Sequence, residues 1–165
     1  MSDIILRCGG VVHSFEPNPF LFKLLESKYT NCTDVILHNA ALSTQNGQME
    51  LHLDSLISQG SYLAGSGDSR DWKCGITHQV KTIDLCEYLQ KILQEVPRIY
   101  FLKIDIEGAE FEIMHKLLDI GLHEKIEYIA CETHERYFSD GEQKISDLRA
   151  HITSKNAKNI LLDWI

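Results

Sequence analysis

The run Ile99-Tyr100-Phe101-Leu102-Lys103-Ile104-Asp105 constrains this chain more than any other segment. Nearly every residue in it is apolar, the pattern expected of a parallel strand covered on both faces. Parallel strands cannot be joined by a tight turn, so helices must lie between it and its neighbours. The flanking sequence supplies them. Asp84 can cap a helix with apolar positions at Leu85, Leu89, Ile92, Leu93 and Val96, ended by Pro97. Downstream, Phe111, Ile113, Met114, Leu117 and Leu118 form a second helical stripe that Gly121 stops.

The same alternation extends along the chain. Val11-Val12-His13-Ser14-Phe15 reads as a buried strand ending at Glu16-Pro17. Asn18-Pro19 then opens a helix with a stripe at Phe20, Leu21, Leu24, Leu25 and Lys28-Tyr29. Val35-Ile36-Leu37-His38 is a second strand, closed by Asn39-Ala40-Ala41-Leu42, and Asn46-Gly47 is a hairpin-turn dipeptide. Met49, Leu51 and Leu53 alternate as a half-buried strand, and Val80-Lys81-Thr82-Ile83 is another. Between them, residues 54–79 are rich in Ser, Gly and Asp and read as a long loop insertion. Ile126 to Cys131 forms a strand before Glu132-Thr133-His134, Ile145, Leu148 and Ile152 mark a helix, and Ile160-Leu161-Leu162 begins a last strand. The expectation is an α/β fold with a mostly parallel sheet, a single domain over 1–165 with no internal repeat.

Charge and cysteine content narrow the partners. Sixteen Lys+Arg against twenty-four Asp+Glu give a net charge of −8, which argues against nucleic-acid or anionic-membrane binding. The five cysteines are odd in number and form no CxxC pair, so neither a disulfide framework nor a zinc ribbon is suggested. Reduced thiols, no basic and apolar leader at the start and no run long enough to span a bilayer point to a cytoplasmic protein.

In parallel α/β sheets ligands bind at the carboxyl ends of the strands, and polar residues collect there. Glu16 can accept both hydroxyls of a ribose, with a turn-opening surface Glu as the equally weighted alternative. Asn39 offers an amide suited to an adenine edge, although a turn asparagine is the commoner reading. Asp105-Ile106-Glu107-Gly108-Ala109-Glu110 places three carboxylates after the most apolar strand. Lys103 faces the same side as Asp105 and can pair with it. Glu110 has a simple explanation in the helix dipole. Glu132 and His134 are either a general-base pair or a polar strand end bonded to backbone. Cys131 and His134 are too few to make a metal site, and no metal is expected.

Taken in order, Phe15-Glu16-Pro17-Asn18-Pro19, Asn39-Ala40-Ala41-Leu42-Ser43 with Gly47, Thr82-Ile83-Asp84-Leu85 and Leu102-Lys103-Ile104-Asp105-Ile106-Glu107-Gly108-Ala109-Glu110 resemble the FkbM family of S-adenosylmethionine-dependent methyltransferases. The resemblance runs from about Val11 to about His134 and implies a Rossmann-like methyltransferase fold, with S-adenosylmethionine as cofactor and O-methylation of a small molecule or sugar. It implies that Glu16 holds the cofactor ribose, that Asn39-Ala40 border the adenine, and that Asp105 and Glu107 line the cofactor and substrate side. Asp105, Glu132 and His134 are the candidate bases, in no fixed order. Gly60-Ser61-Tyr62-Leu63 lies where the family often has a serine-rich segment, so Ser61 is carried over as substrate-binding; Tyr62 departs from the pattern.

The largest departure is at the front. The family places a strand, a glycine-rich turn and a helix before the FEPNP strand, a unit of roughly 25 or more residues. Only ten residues precede Val11, and Gly9-Gly10 is a turn into the strand. The expected fold therefore lacks the usual first strand and glycine-rich loop, with Ser2 to Cys8 a helix tail or a replacement strand. A non-catalytic interaction module and a shortened piece of a catalytic parent stand as alternatives to an active enzyme. An NAD-dependent α/β protein accounts for Glu16 but not for the whole series. An uncovered sheet edge favours self-association.

Overall fold

The structure, a computed structural model, describes residues 1–53, 62–63 and 76–162. Strands and helices alternate: α1 (Ser2–Arg7), β1 (Val12–Phe15), α2 (Pro19–Lys28), β2 (Val35–His38), β3 (Ala41–Ser43), β4 (Gly47–Leu53), β5 (Tyr62–Leu63), β6 (Ile76–Asp84), α3 (Leu85–Glu95), β7 (Ile99–Ile104), α4 (Glu110–Asp119), β8 (Ile126–Cys131), α5 (Gly141–Ser154) and β9 (Ile160–Leu161). β1 pairs with β2, β3 with β6, and β7 with β8 with β9, all parallel. Among the described strands, the antiparallel pairs are those that β4 makes with β6 and with β5. The fold is α/β with parallel sheets, consistent with a Rossmann-like methyltransferase.

The main core forms where the helical stripes meet the β7–β8 strands. Ile113, Met114, Leu117 and Leu118 of α4 pack with Leu85 and Leu89 of α3, Ile104 of β7, Ile129 of β8 and Leu148 of α5. Gly121 ends the α4 region at φ +72, a left-handed conformation that glycine adopts without a Cβ clash. A smaller core, Ala41, Leu51, Leu53 and Val80, lies in the sheet built around β6. Ser2 to Cys8 is mostly helix, tied to the end of α2 by Lys28 Nζ and the Tyr29 hydroxyl, each donating to Asp3 at 2.8 Å. Gly9, at φ +77, turns the chain into β1.

Four local expectations need correction. Asn46-Gly47 does not close a hairpin, because β3 and β4 both pair with β6 and not with each other. The Asn46 side chain instead accepts the Asp84 N–H at 3.0 Å and donates to Glu87 Oε2 at 2.7 Å, fixing the start of α3. Asn39 to Leu42 does not simply close β2, since Ala41 and Leu42 begin a strand parallel to β6. The 54–79 insertion is shorter than its composition suggests: β6 starts at Ile76, and Tyr62–Leu63 pairs with Leu51 and His52. Thr77 and Gln79 alternate with Ile76 and Val80, so a half-exposed strand carries polar residues that read as loop. Finally, β7 is not covered on both faces. It is an outer strand of its sheet, and Tyr100 is 74 % exposed, its ring edge-on to Tyr128 at 5.7 Å.

Candidate functional site

Three strand ends converge on one cleft. Glu16 follows β1, Asp105 and Glu107 follow β7, and Glu132 follows β8; with Leu21, Leu24 and Leu25 of α2 they line a cavity of about 550 Å³. Glu16 Oε1 accepts the Asn18 N–H at 2.9 Å, so the carboxylate is held against the turn that opens α2. Burial pushes its carboxyl above the usual range, and the Asn18 bond offsets only part of that. Asn18 is buried and caps α2, its Oδ1 accepting the Phe20 N–H at 2.9 Å.

At the end of β7, Lys103 Nζ donates to Asp105 Oδ2 at 2.8 Å, the pairing expected from their alternation. Glu107 (φ +56) and Gly108 (φ +120) then take consecutive positive φ values. For Glu107 this conformation is uncommon; for Gly108 it is accessible because no Cβ is present. The turn reverses the chain into α4 and brings Glu110 under it. Glu110 is fully buried. Its Oε2 accepts the Gly108 N–H at 2.6 Å, and its Oε1 accepts the His134 backbone N–H at 2.8 Å and lies 3.2 Å from His134 Nδ1. One carboxylate thus ties the turn after β7 to the segment after β8.

His134 is itself buried, with its ring stacked against Tyr137 at 5.8 Å. Its Nε2 faces Glu107 Oε1 at 3.6 Å, Glu132 Oε1 at 3.8 Å and Asp105 Oδ1 at 3.9 Å. Burial alone would lower the imidazole pKa. The Glu110 bond and the charges of Glu110 and Glu107 outweigh it, so His134 titrates above its usual range, with Arg136 working against them. Donor atoms of Asp105, Glu107 and His134 all lie within 4.8 Å of one another. Cys131 is buried in the main core and its thiol is pushed upward by burial, which leaves it neutral and inert.

The structure therefore brings together Glu16, Asp105, Glu107, Glu132 and His134. Asn39 and Ala40 are not among the cleft-lining residues. Asn39 Nδ2 donates to the carbonyls of Glu16 at 2.8 Å and Pro17 at 3.3 Å, latching the ends of β1 and β2, and Ala40 is buried. Ser61 lies outside the described residues. Two contributions were not read from the sequence. Glu110 looked like a helix-dipole residue; its place as the third carboxylate of the DIEGAE run was the available signal. The α2 stripe was read only as a helical stripe, yet α2 has no buried residue and Leu24 is 60 % exposed beside the cleft.

Parallel α/β sheets characteristically take their ligands at the carboxyl ends of their strands, which is where these acidic residues gather. Residues 2–158, nearly the whole chain, match the methyltransferase FkbM domain, and the chain belongs to that family. No curated protein and no solved structure matches the chain. Among the described residues, no helix is long and apolar enough to cross a membrane.

Proposed function

We propose that this methyltransferase-family chain binds S-adenosylmethionine in the cleft between β1, β7 and β8 and methylates an oxygen of a small molecule or sugar. The observation that carries the reading is the convergence of Glu16 with Asp105, Glu107 and Glu132 around one cavity that has an apolar wall. Glu16 accepts the ribose hydroxyls, and Leu21, Leu24 and Leu25 offer a surface on which the adenine lies. The carboxylates favour the positive sulfonium. S-adenosylmethionine, when bound, would supply an electrophilic methyl group, and the acceptor oxygen's proton would pass to a base of this chain. Asp105 is engaged by Lys103 and His134 by Glu110. Glu132 has no side-chain hydrogen bond among the described residues and takes that proton.

Calorimetric titration with S-adenosylmethionine tests the reading. Micromolar binding that is lost in Glu16→Ala supports it; no binding by the folded protein overturns it. Binding of NAD without S-adenosylmethionine would move the chain to another nucleotide class.

A second reading, the fold kept as an interaction module, has one observation in its favour. Tyr100, Tyr128 and Leu161, on the three strands of the β7–β8–β9 sheet, are all exposed. Apolar surface of that kind favours contact with a second copy of the chain. Sedimentation velocity showing a clean monomer at high concentration counts against it.

A further inference from the structure

We propose that Asp105, Glu107 and His134 form a site for a divalent first-row cation, with Mn2+ as its representative, at the edge of the cleft. His134 organises the site. Its ring is buried, and its Nδ1 lies 3.2 Å from the fully buried Glu110 carboxylate, which also accepts its backbone N–H. With the proton on Nδ1, Glu110 fixes the tautomer and the ring orientation, and Nε2 presents its lone pair outward. A carboxylate behind a histidine is the support that metal-ligating imidazoles characteristically have.

Among the described residues, that lone pair has no hydrogen-bond partner, only carboxylate oxygens farther off. Three carboxylate oxygens face it: Glu107 Oε1 at 3.6 Å, Glu132 Oε1 at 3.8 Å and Asp105 Oδ1 at 3.9 Å. These separations are too long for hydrogen bonds and suit a shared ion. Around a cation with bonds of about 2.2 Å, adjacent ligands lie about 3 Å apart and opposite ligands about 4.4 Å apart. The three donor atoms lie within 4.8 Å of one another. Asp105 can serve because Lys103 holds its other oxygen, Oδ2, leaving Oδ1 turned to the histidine. One imidazole and two carboxylates match Mn2+ better than a thiolate-loving ion, and the nearby Cys131 thiol is buried in the core. Three protein ligands leave open positions on an octahedral ion for water or a substrate oxygen. Glu132 Oε1, 3.8 Å from Nε2, stands where it can take a proton from such a bound oxygen. Only this last role rests on the methyltransferase reading; the cation site does not.

The test is a titration of the full chain with Mn2+, followed by the paramagnetic resonance of the free ion at high salt, where loose binding to the acidic surface is screened. One equivalent of Mn2+ should be sequestered, and Asp105→Asn and Glu107→Gln should each weaken binding at least about tenfold. Denaturation of each variant confirms that it is folded before its binding is compared with wild type. No sequestration by folded protein overturns the site, as does unchanged binding in both variants. Calorimetry with S-adenosylmethionine on the same samples separates the two proposals. Mn2+ binding without cofactor binding sinks the methyltransferase reading alone, and cofactor binding without Mn2+ binding sinks the cation site alone.

Discussion

Glu110 Oε1 accepts the backbone N–H of His134 at 2.8 Å, across 24 residues of chain, while Oε2 accepts the N–H of Gly108 at 2.6 Å. A carboxylate presents acceptors on both oxygens; an amide presents only one. Glu110→Gln therefore turns an N–H donor toward one of these two backbone N–H groups in a fully buried place. The expected cost is about 3 kcal/mol, because one buried donor loses its partner and the charge facing His134 is removed. Urea denaturation measures it, and a loss below about 1 kcal/mol would show that Glu110 is not the clamp described.

Asp84 joins two roles in one side chain. Its Oδ1 accepts the N–H groups of Cys86 at 3.0 Å and Glu87 at 3.2 Å, capping α3, and its Oδ2 accepts from Lys116 of α4. Lys116 also donates to the Thr44 carbonyl at 2.7 Å, so β3, α3 and α4 meet at this point. Asp84→Ala removes cap and ion pair together and should cost about 2 kcal/mol. Asp84→Asn keeps a good cap and should recover about half of that loss. Equal losses in the two variants, read from denaturation midpoints, would show that the cap contributes nothing.

These two residues also mark how far the sequence could be read. The Asp84 cap was legible because its partners are two and three residues away and the apolar stripe behind it has helical spacing. The α4 stripe was legible for the same reason: all five of its apolar positions are buried. Glu110 was not, since its partner His134 is brought near only by the β7–β8 pairing. Strand order was equally hidden. Asn46-Gly47 has the local chemistry of a hairpin, but β6, which arrives some thirty residues later, inserts between β3 and β4. The strand-end carboxylates were legible as a set because parallel sheets gather such ends. Their exposure and pairing depended on turns with positive φ that no periodicity reports.

Two glycines should respond very differently to alanine. Gly141, at the start of α5, is packed so tightly on the Glu135 backbone carbonyl that an added Cβ would fall far inside van der Waals contact. Backbone cannot give way as a side-chain tip can, so Gly141→Ala should cost at least about 3 kcal/mol. At Gly121 an added Cβ meets nothing within 4 Å, and the only penalty is the left-handed φ of +72. That substitution should cost about 1 kcal/mol. Thermal denaturation of both variants checks the ranking; Gly121→Ala as the more damaging change would contradict it.

Acid should destabilise the protein through half-buried histidines whose neutral form the fold favours. His115 and His151 join α4 to α5, with their Nδ1 atoms 2.7 Å apart and their rings stacked. That contact needs one nitrogen to donate and the other to accept, so it fails when both rings carry two protons. Burial, and then the charge of His151, hold His115 below its ordinary value of 6.5, against the raising effect of Asp119 and Asp147. Burial likewise lowers His13 and His38, which flank the Tyr88 hydroxyl at 2.6 and 2.7 Å. A group whose folded pKa lies below its unfolded one contributes stability above the unfolded pKa. That contribution is lost as pH falls through the folded pKa, because the unfolded chain binds the proton first. His134 and Glu16, both raised, contribute with the opposite sign: their stability is present below their unfolded pKa values and lost as pH rises through the folded ones. Comparison with His115→Gln cancels every shared contribution and isolates the pair. Between about pH 7 and about pH 5 the wild-type midpoint should fall more steeply in urea than that of His115→Gln. Parallel profiles for the two proteins would remove the His115–His151 contact from the acid response.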